Sequence, residues 1–191
     1  MKFTPRPLFL FLGALLLIQF VSGFADAPIG IPTTEELTTS SEHIIIGKIQ
    51  DSYCDYSSDQ TQIFTFTWVD VDSALKGGFA AGELFLLRQL GGKVGDTVMA
   101  VRTEPAFAPD QEVLLFVNFL EIGNDGNSLY AITGINLGAY TIIYNTAFEQ
   151  VVFHEDAWDL QQASTADSPQ ALQGLLQPLD DFITEIESYV R

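Results

Sequence analysis

Residues 62–71 read QIFTFTWVDV, and this alternation limits the fold more than any other feature of the chain. Phe64, Phe66 and Trp68 share one face, while Thr65, Thr67, Val69 and Val71 share the other. A period of two is a strand. Comparable apolar runs recur at His43–Gln50, Glu83–Leu90, Thr97–Thr103, Glu112–Leu120, Leu129–Ile135, Ala139–Asn145 and Glu149–Glu155. Turn signals separate them: LKGGFAAG, the proline-marked EPAFAPDQ, and Asp125-Gly126, a hairpin dipeptide. Ile44, Ile45 and Ile46 in a row suggest a strand buried on both faces. Short strands with no helical pattern between them predict a mainly β domain, an antiparallel barrel or a sandwich. The connections look too short for parallel crossovers, which need a dozen or more residues.

Helical patterns stand only at the two ends of this region. Thr33 with Glu36 three residues on is a capping box, so a short helix is expected over Thr34–Ser40. After a polar linker at 159–167, Ser168 and Pro169 suit an N-cap and first helical position. Leu172, Leu175, Leu179, Phe182, Ile186 and Val190 then recur at helical spacing, which predicts an amphipathic C-terminal helix over 168–191. Pro178 inside it should kink or split it, because its ring opposes the carbonyl of Gly174. Such a helix either packs on the β domain or serves a partner.

The first 25 residues read as a secretory signal peptide. Lys2 and Arg6 precede an apolar run from Leu8 to Val21, and small residues follow, with cleavage suited after Gly23 or Ala25. The alternative is an uncleaved anchor, for which the run is short against the roughly 20 residues of a span. The reading places the domain at 26–158, secreted or periplasmic, with no membrane insertion after cleavage. One cysteine rules out an intrachain disulfide. The chain has 25 acids against 8 Lys+Arg, a net charge of −17. Loss of Lys2 and Arg6 takes this to −19. A surface of that sign repels nucleic acid and anionic lipid.

Motifs for chemistry mostly fail on inspection. Cys54 lies in DSYCDY between Asp51 and Asp55, which disfavour a nucleophilic thiolate. HEDAW lacks the second histidine of a zinc-protease helix. His154 with Glu155, Asp156 and Asp159 remains a candidate metal cluster beside its plainer reading as a solvated loop. The turns from Asp70 and Asn124 carry oxygen ligands without the spaced acids of a calcium loop. The glycine-rich RQLGGKVGD lacks the Ser or Thr after Gly92-Lys93 and the following helix that a phosphate loop needs. Its glycines suit a turn. Arg88, Lys93 and Arg102 nevertheless gather three of the chain's rare cations within 15 residues, a candidate contact patch. No residue pattern asks for a cofactor.

The order of these pieces resembles a widespread family of exported bacterial proteins of unknown function. The shared elements are Gly47-Lys48 ending an Ile-rich strand, Thr65 with Val69 leading to Leu75-Lys76-Gly77, the Gly91-Gly92 turn, and Pro105-Ala106-Phe107 before Val113–Val117. The resemblance covers about Thr33 to Tyr144 and implies an OB-like barrel, similar to tissue inhibitors of metalloproteinases and netrin-type domains. Those inhibitors act through a disulfide-held N-terminal cysteine, which is missing here. The fold class expected is therefore mainly β, an antiparallel OB-like β-barrel with a short N-terminal helix and a C-terminal amphipathic helix. The function expected is a non-catalytic binding or interaction domain for a protein or small-molecule partner. An inhibitor or accessory of an exported metallopeptidase is the alternative, and an enzyme the third.

Overall fold

The computed structural model describes residues 32–147, 149–154 and 176–190. The stretch 1–25 expected to be a signal peptide, the stretch 159–167 expected to be a linker, and Glu155, Asp156 and Asp159 lie outside them. The described chain is mainly β, with a large mixed sheet, a small hairpin and two helices.

Helix α1, Thr34–Ser40, begins as the sequence requires. The Glu36 N–H donates to the Thr33 hydroxyl (3.2 Å) and the Thr33 N–H donates to the Glu36 carboxylate (2.8 Å). At the other end Lys76 Nζ donates to the Thr38 carbonyl (2.6 Å). A cation there satisfies a helix-terminal carbonyl and suits the dipole.

Two long strands follow, β1 (His43–Tyr56) and β2 (Ile63–Lys76), paired antiparallel. Each runs further than its apolar stretch suggests. β3 is Leu84–Leu90. Gly91 (φ 101°) and Gly92 (φ 133°) then turn the chain out of the sheet in a conformation that favours glycine. β4 (Gly92–Val94) and β5 (Thr97–Met99) form a separate hairpin. The glycine-rich stretch is thus not one turn between two strands of the sheet. β6 (Glu112–Ile122), β7 (Ser128–Ile132), β8 (Ala139–Tyr144) and β9 (Gln150–Phe153) complete the main sheet, with a two-residue β10 (Gln177–Pro178) at its edge.

Pairing runs β1-β2-β3-β7-β6, and β6 pairs back to β1, Val117 opposite His43 and Glu112 opposite Lys48. The β3–β7 contact, Leu86 opposite Leu129, is parallel. This corrects the all-antiparallel expectation. The two strands are not consecutive, and the hairpin, a loop and β6 between them supply the length that a parallel return needs.

The smaller face of β2 is the inner one. Val69 and Val71 pack with Ile45, Leu87, Val113 and Leu115 in one core cluster, whereas Phe64, Phe66 and Trp68 lie half-buried on the other face. A second cluster covers the opposite side of β1 and β6. There Ile44, Leu114 and Phe116 meet Leu37 of α1 and Phe182 and Ile186 of helix α2, Leu179–Tyr189. Ile44 and Ile45 are both 0% exposed, each in a different cluster, so the isoleucine run is explained by burial on two faces.

The C-terminal pattern is broken at Pro178, as the proline predicts. A helix over the whole of 168–191 does not form: Gln177 and Pro178 are extended, opposite Val152 and Val151 of β9, and α2 starts at Leu179. Pro178 lacks the N–H that a helix interior uses, and an edge strand tolerates it. Ser168 and Pro169 lie outside the described residues.

Candidate functional site

The strip formed by β1, β2 and β3 presents two chemically distinct faces. On the outer one Tyr53 stands opposite Phe66, and Phe66 opposite Arg88. The Tyr53 and Phe66 rings stack at 5.1 Å, 16° from parallel, and Phe64 meets Phe66 edge-on at 6.4 Å. The Arg88 guanidinium lies 4.7 Å from the centre of the Phe64 ring and is paired with the Glu121 carboxylate of β6. The side chain of Arg88 is only 21% exposed, so its charge is both stacked and neutralised.

Two turns wall this face. The β1–β2 turn is set by Asp59, whose carboxylate accepts from the Ser57 hydroxyl (2.6 Å) and from the Thr61 N–H (3.1 Å) and hydroxyl (2.8 Å). These bonds hold its carboxyl below the usual range. The β6–β7 turn is set by Asp125, which accepts from the Asn127 N–H (3.1 Å) and side-chain amide (2.8 Å) and is lowered for the same reason. Between the turns lies a cleft of about 420 Å³ lined by Tyr53, Phe64, Phe66 and Arg88, with Asp55, Glu121 and Asp125 among its carboxylates. Tyr53 is 43% exposed. Burial, then Asp125 and Asp55, raise its phenol above the ordinary value.

The inner face of the same strip is hydroxyl-lined. Ser52 meets Thr67 (2.9 Å), Cys54 meets Thr65 (3.4 Å), and Thr65 donates to the Gly91 carbonyl (2.8 Å). A smaller hollow of about 260 Å³ opens there beside Gln89 and Glu104. The β4–β5 hairpin lies over this face so closely that a Cβ on Gly92 would stand 2.6 Å from Cys54 Sγ and 2.7 Å from Thr65 Oγ1. Cys54 is a half-buried thiol packed under that hairpin.

The three expected patch cations occupy different settings. Arg88 belongs to the aromatic cleft, paired with Glu121. Lys93 is exposed on the hairpin, which packs against the opposite face, and Arg102 is exposed in the loop beyond β5. Of the metal candidates only His154 is described. Its ring stands edge-on to Tyr140 at 5.1 Å, and its buried Nε2 has no hydrogen-bond partner among the described residues. Burial pushes the Tyr140 phenol up to about 12. No group of three or more His, Cys, Asp or Glu among the described residues is placed to hold a metal ion. Asp125, next to the candidate calcium residue Asn124, closes its own turn with one bond accepted at each carboxylate oxygen.

Sequence reasoning missed the cleft. The alternation in QIFTFTWVDV placed Phe64 and Phe66 on one face but left open which face is covered. The contributions of Tyr53, Glu121 and Asp125 depend on β1 and β6, distant in sequence. No family model matches the chain, and no curated protein matches it.

Proposed function

We propose that this chain is an exported, non-catalytic binding domain on an OB-like barrel, which takes a protein or small-molecule ligand in the aromatic cleft. The carrying observation is the place of the cleft on the ring of strands. Counted around the ring, β1, β2, β3, β6 and β7 take the positions of the five OB strands. The cleft then falls on the strand 2–3 face between the loops joining strands 1–2 and 4–5, where OB folds bind their ligands. An exposed tyrosine stacked on a half-buried phenylalanine, with a few polar groups around them, suits recognition. Export rests on the cationic and then apolar opening of the chain.

The test replaces the aromatic platform. Tyr53→Ser with Phe66→Ser is expected to weaken retention of ligand from native medium or envelope extract by more than about tenfold, the scale of losing a binding hot spot. Circular dichroism should stay unchanged. Equal retention by the parent and the double variant removes the cleft from the function.

A further inference from the structure

We propose that the cleft binds a basic peptide segment of a partner protein, with an arginine or lysine side chain lying on the Tyr53–Phe66 rings and its charge facing Asp55 and Asp125. This rests on the binding reading above and gives the chemistry of its ligand.

Three carboxylates in the cleft lining, Asp55, Glu121 and Asp125, face one guanidinium, Arg88. Arg88 and Glu121 neutralise each other. Asp55 and Asp125 have no cationic partner among the described residues. Asp55 accepts from the Tyr56 N–H (2.7 Å) and Asp125 from Asn127. A carboxylate has about four acceptor positions, so both keep capacity for a ligand.

The second element is the platform. On this same face the protein already holds a guanidinium over an aromatic ring beside a carboxylate: Arg88 on Phe64 with Glu121. Tyr53 and Phe66, stacked on each other and flanked by Asp55 and Asp125, offer the same pair of surfaces to a cation from outside.

The third is selection among occupants. Phosphate-bearing and carboxylate-rich ligands are repelled by the cleft and by the net charge of −17, which draws basic partners in. A volume of about 420 Å³ between two turns accommodates side chains of a peptide rather than a lone ion. Arginine is the better fit, because it stacks on rings and pairs with carboxylates at once.

The experiment titrates the purified protein with a Gly-Arg repeat peptide by calorimetry and by NMR. A Gly-Glu repeat peptide and a neutral oligosaccharide serve as the other arms. The expected result is binding of the Gly-Arg peptide that weakens with salt and perturbs Tyr53 and Phe66. Asp55→Asn with Asp125→Asn, which keeps an oxygen to accept from the Tyr56 and Asn127 N–H groups and gives up only the bond from the Asn127 side-chain amide, should weaken it about tenfold. Asp181→Asn with Glu187→Gln on α2 removes the same charge elsewhere and should leave affinity nearly unchanged. Equal weakening by both pairs means attraction to the whole molecule and overturns the proposal. So does a Gly-Arg peptide that leaves the cleft unperturbed. If the oligosaccharide or the Gly-Glu peptide then perturbs Tyr53 and Phe66, the cleft remains a binding site and only the cationic ligand is wrong. If none of the three perturbs the cleft, both readings fall.

Discussion

Ile135 carries the clearest backbone strain at the residue scale. It sits at φ 71° in the turn between β7 and β8, following Gly134 at φ 68°, with its side chain 55% exposed. A β-branched residue is poorly tolerated in that region, at a cost of roughly 1–2 kcal/mol. Asparagine adopts it readily, and little burial is lost on replacement. Ile135→Asn is therefore expected to stabilise the protein by about 1 kcal/mol, read as a higher urea midpoint at unchanged slope. An unchanged or lower midpoint means that Ile135 makes packing contacts worth its strain. Glu104 shows strain of another kind. It is half-buried at the inner hollow, and burial raises its carboxyl against hydrogen bonds from the Leu90 N–H (3.3 Å) and Gln89 that lower it. The folded protein holds this proton to higher pH than the unfolded chain does. Stability from this group is thus present below the ordinary carboxylate range and lost as pH rises through the raised value. Glu104→Gln keeps an oxygen acceptor for Leu90 and removes the charge. Its melting temperature should exceed the parent's at neutral pH and match it once the parent's Glu104 is protonated in both the folded and the unfolded state. A gain that persists in acid points to packing instead.

The elements divide into those legible from local pattern and those set by neighbours. The capping box of Thr33 and Glu36 placed α1 to the residue, because both halves of the signal lie within one turn. The continuous apolar run of β6 is buried on both faces: Val113, Leu114, Leu115, Phe116 and Val117 are all 0% exposed. β1 was legible only to Gln50, because Asp51–Tyr56 is polar and its strand conformation comes from pairing with β2. At the other end, Leu179, Phe182 and Ile186 had the right spacing, but the helix they belong to is shorter than the pattern. Extended pairing with β9 takes Gln177 and Pro178 instead. Phe182 joins this helix to the sheet, with its ring 4.9 Å from Tyr140 and 6.3 Å from Phe116. Phe182→Ala should cost about 3–5 kcal/mol in denaturant unfolding. A loss under about 1 kcal/mol would mean that α2 is not integral to the core.

For the whole molecule, the sequence by itself determined the class of structure and the sign of the surface. Alternation and turn chemistry are local, so strands, most of their boundaries and the mainly β character follow from neighbours in the chain. The acid excess is a sum and needs no fold; it alone argues against nucleic acid as a partner. Tertiary structure decided everything that depends on pairing between distant segments. It chose the Thr/Val side of β2 as the inner face and left Phe64 and Phe66 outside, because the inner layer shared with β3 and β6 is filled by Leu87, Val113 and Leu115. It made β3 and β7 parallel neighbours, and it turned the glycine-rich segment into a hairpin lying over Cys54. It also separated Arg88 from Lys93, joined it to Glu121, 33 positions away, and set Tyr53 on Phe66 between two turns. A period of two assigns residues to faces but not faces to neighbours. That second choice needs the strand order, which is settled only when the ring of pairings forms.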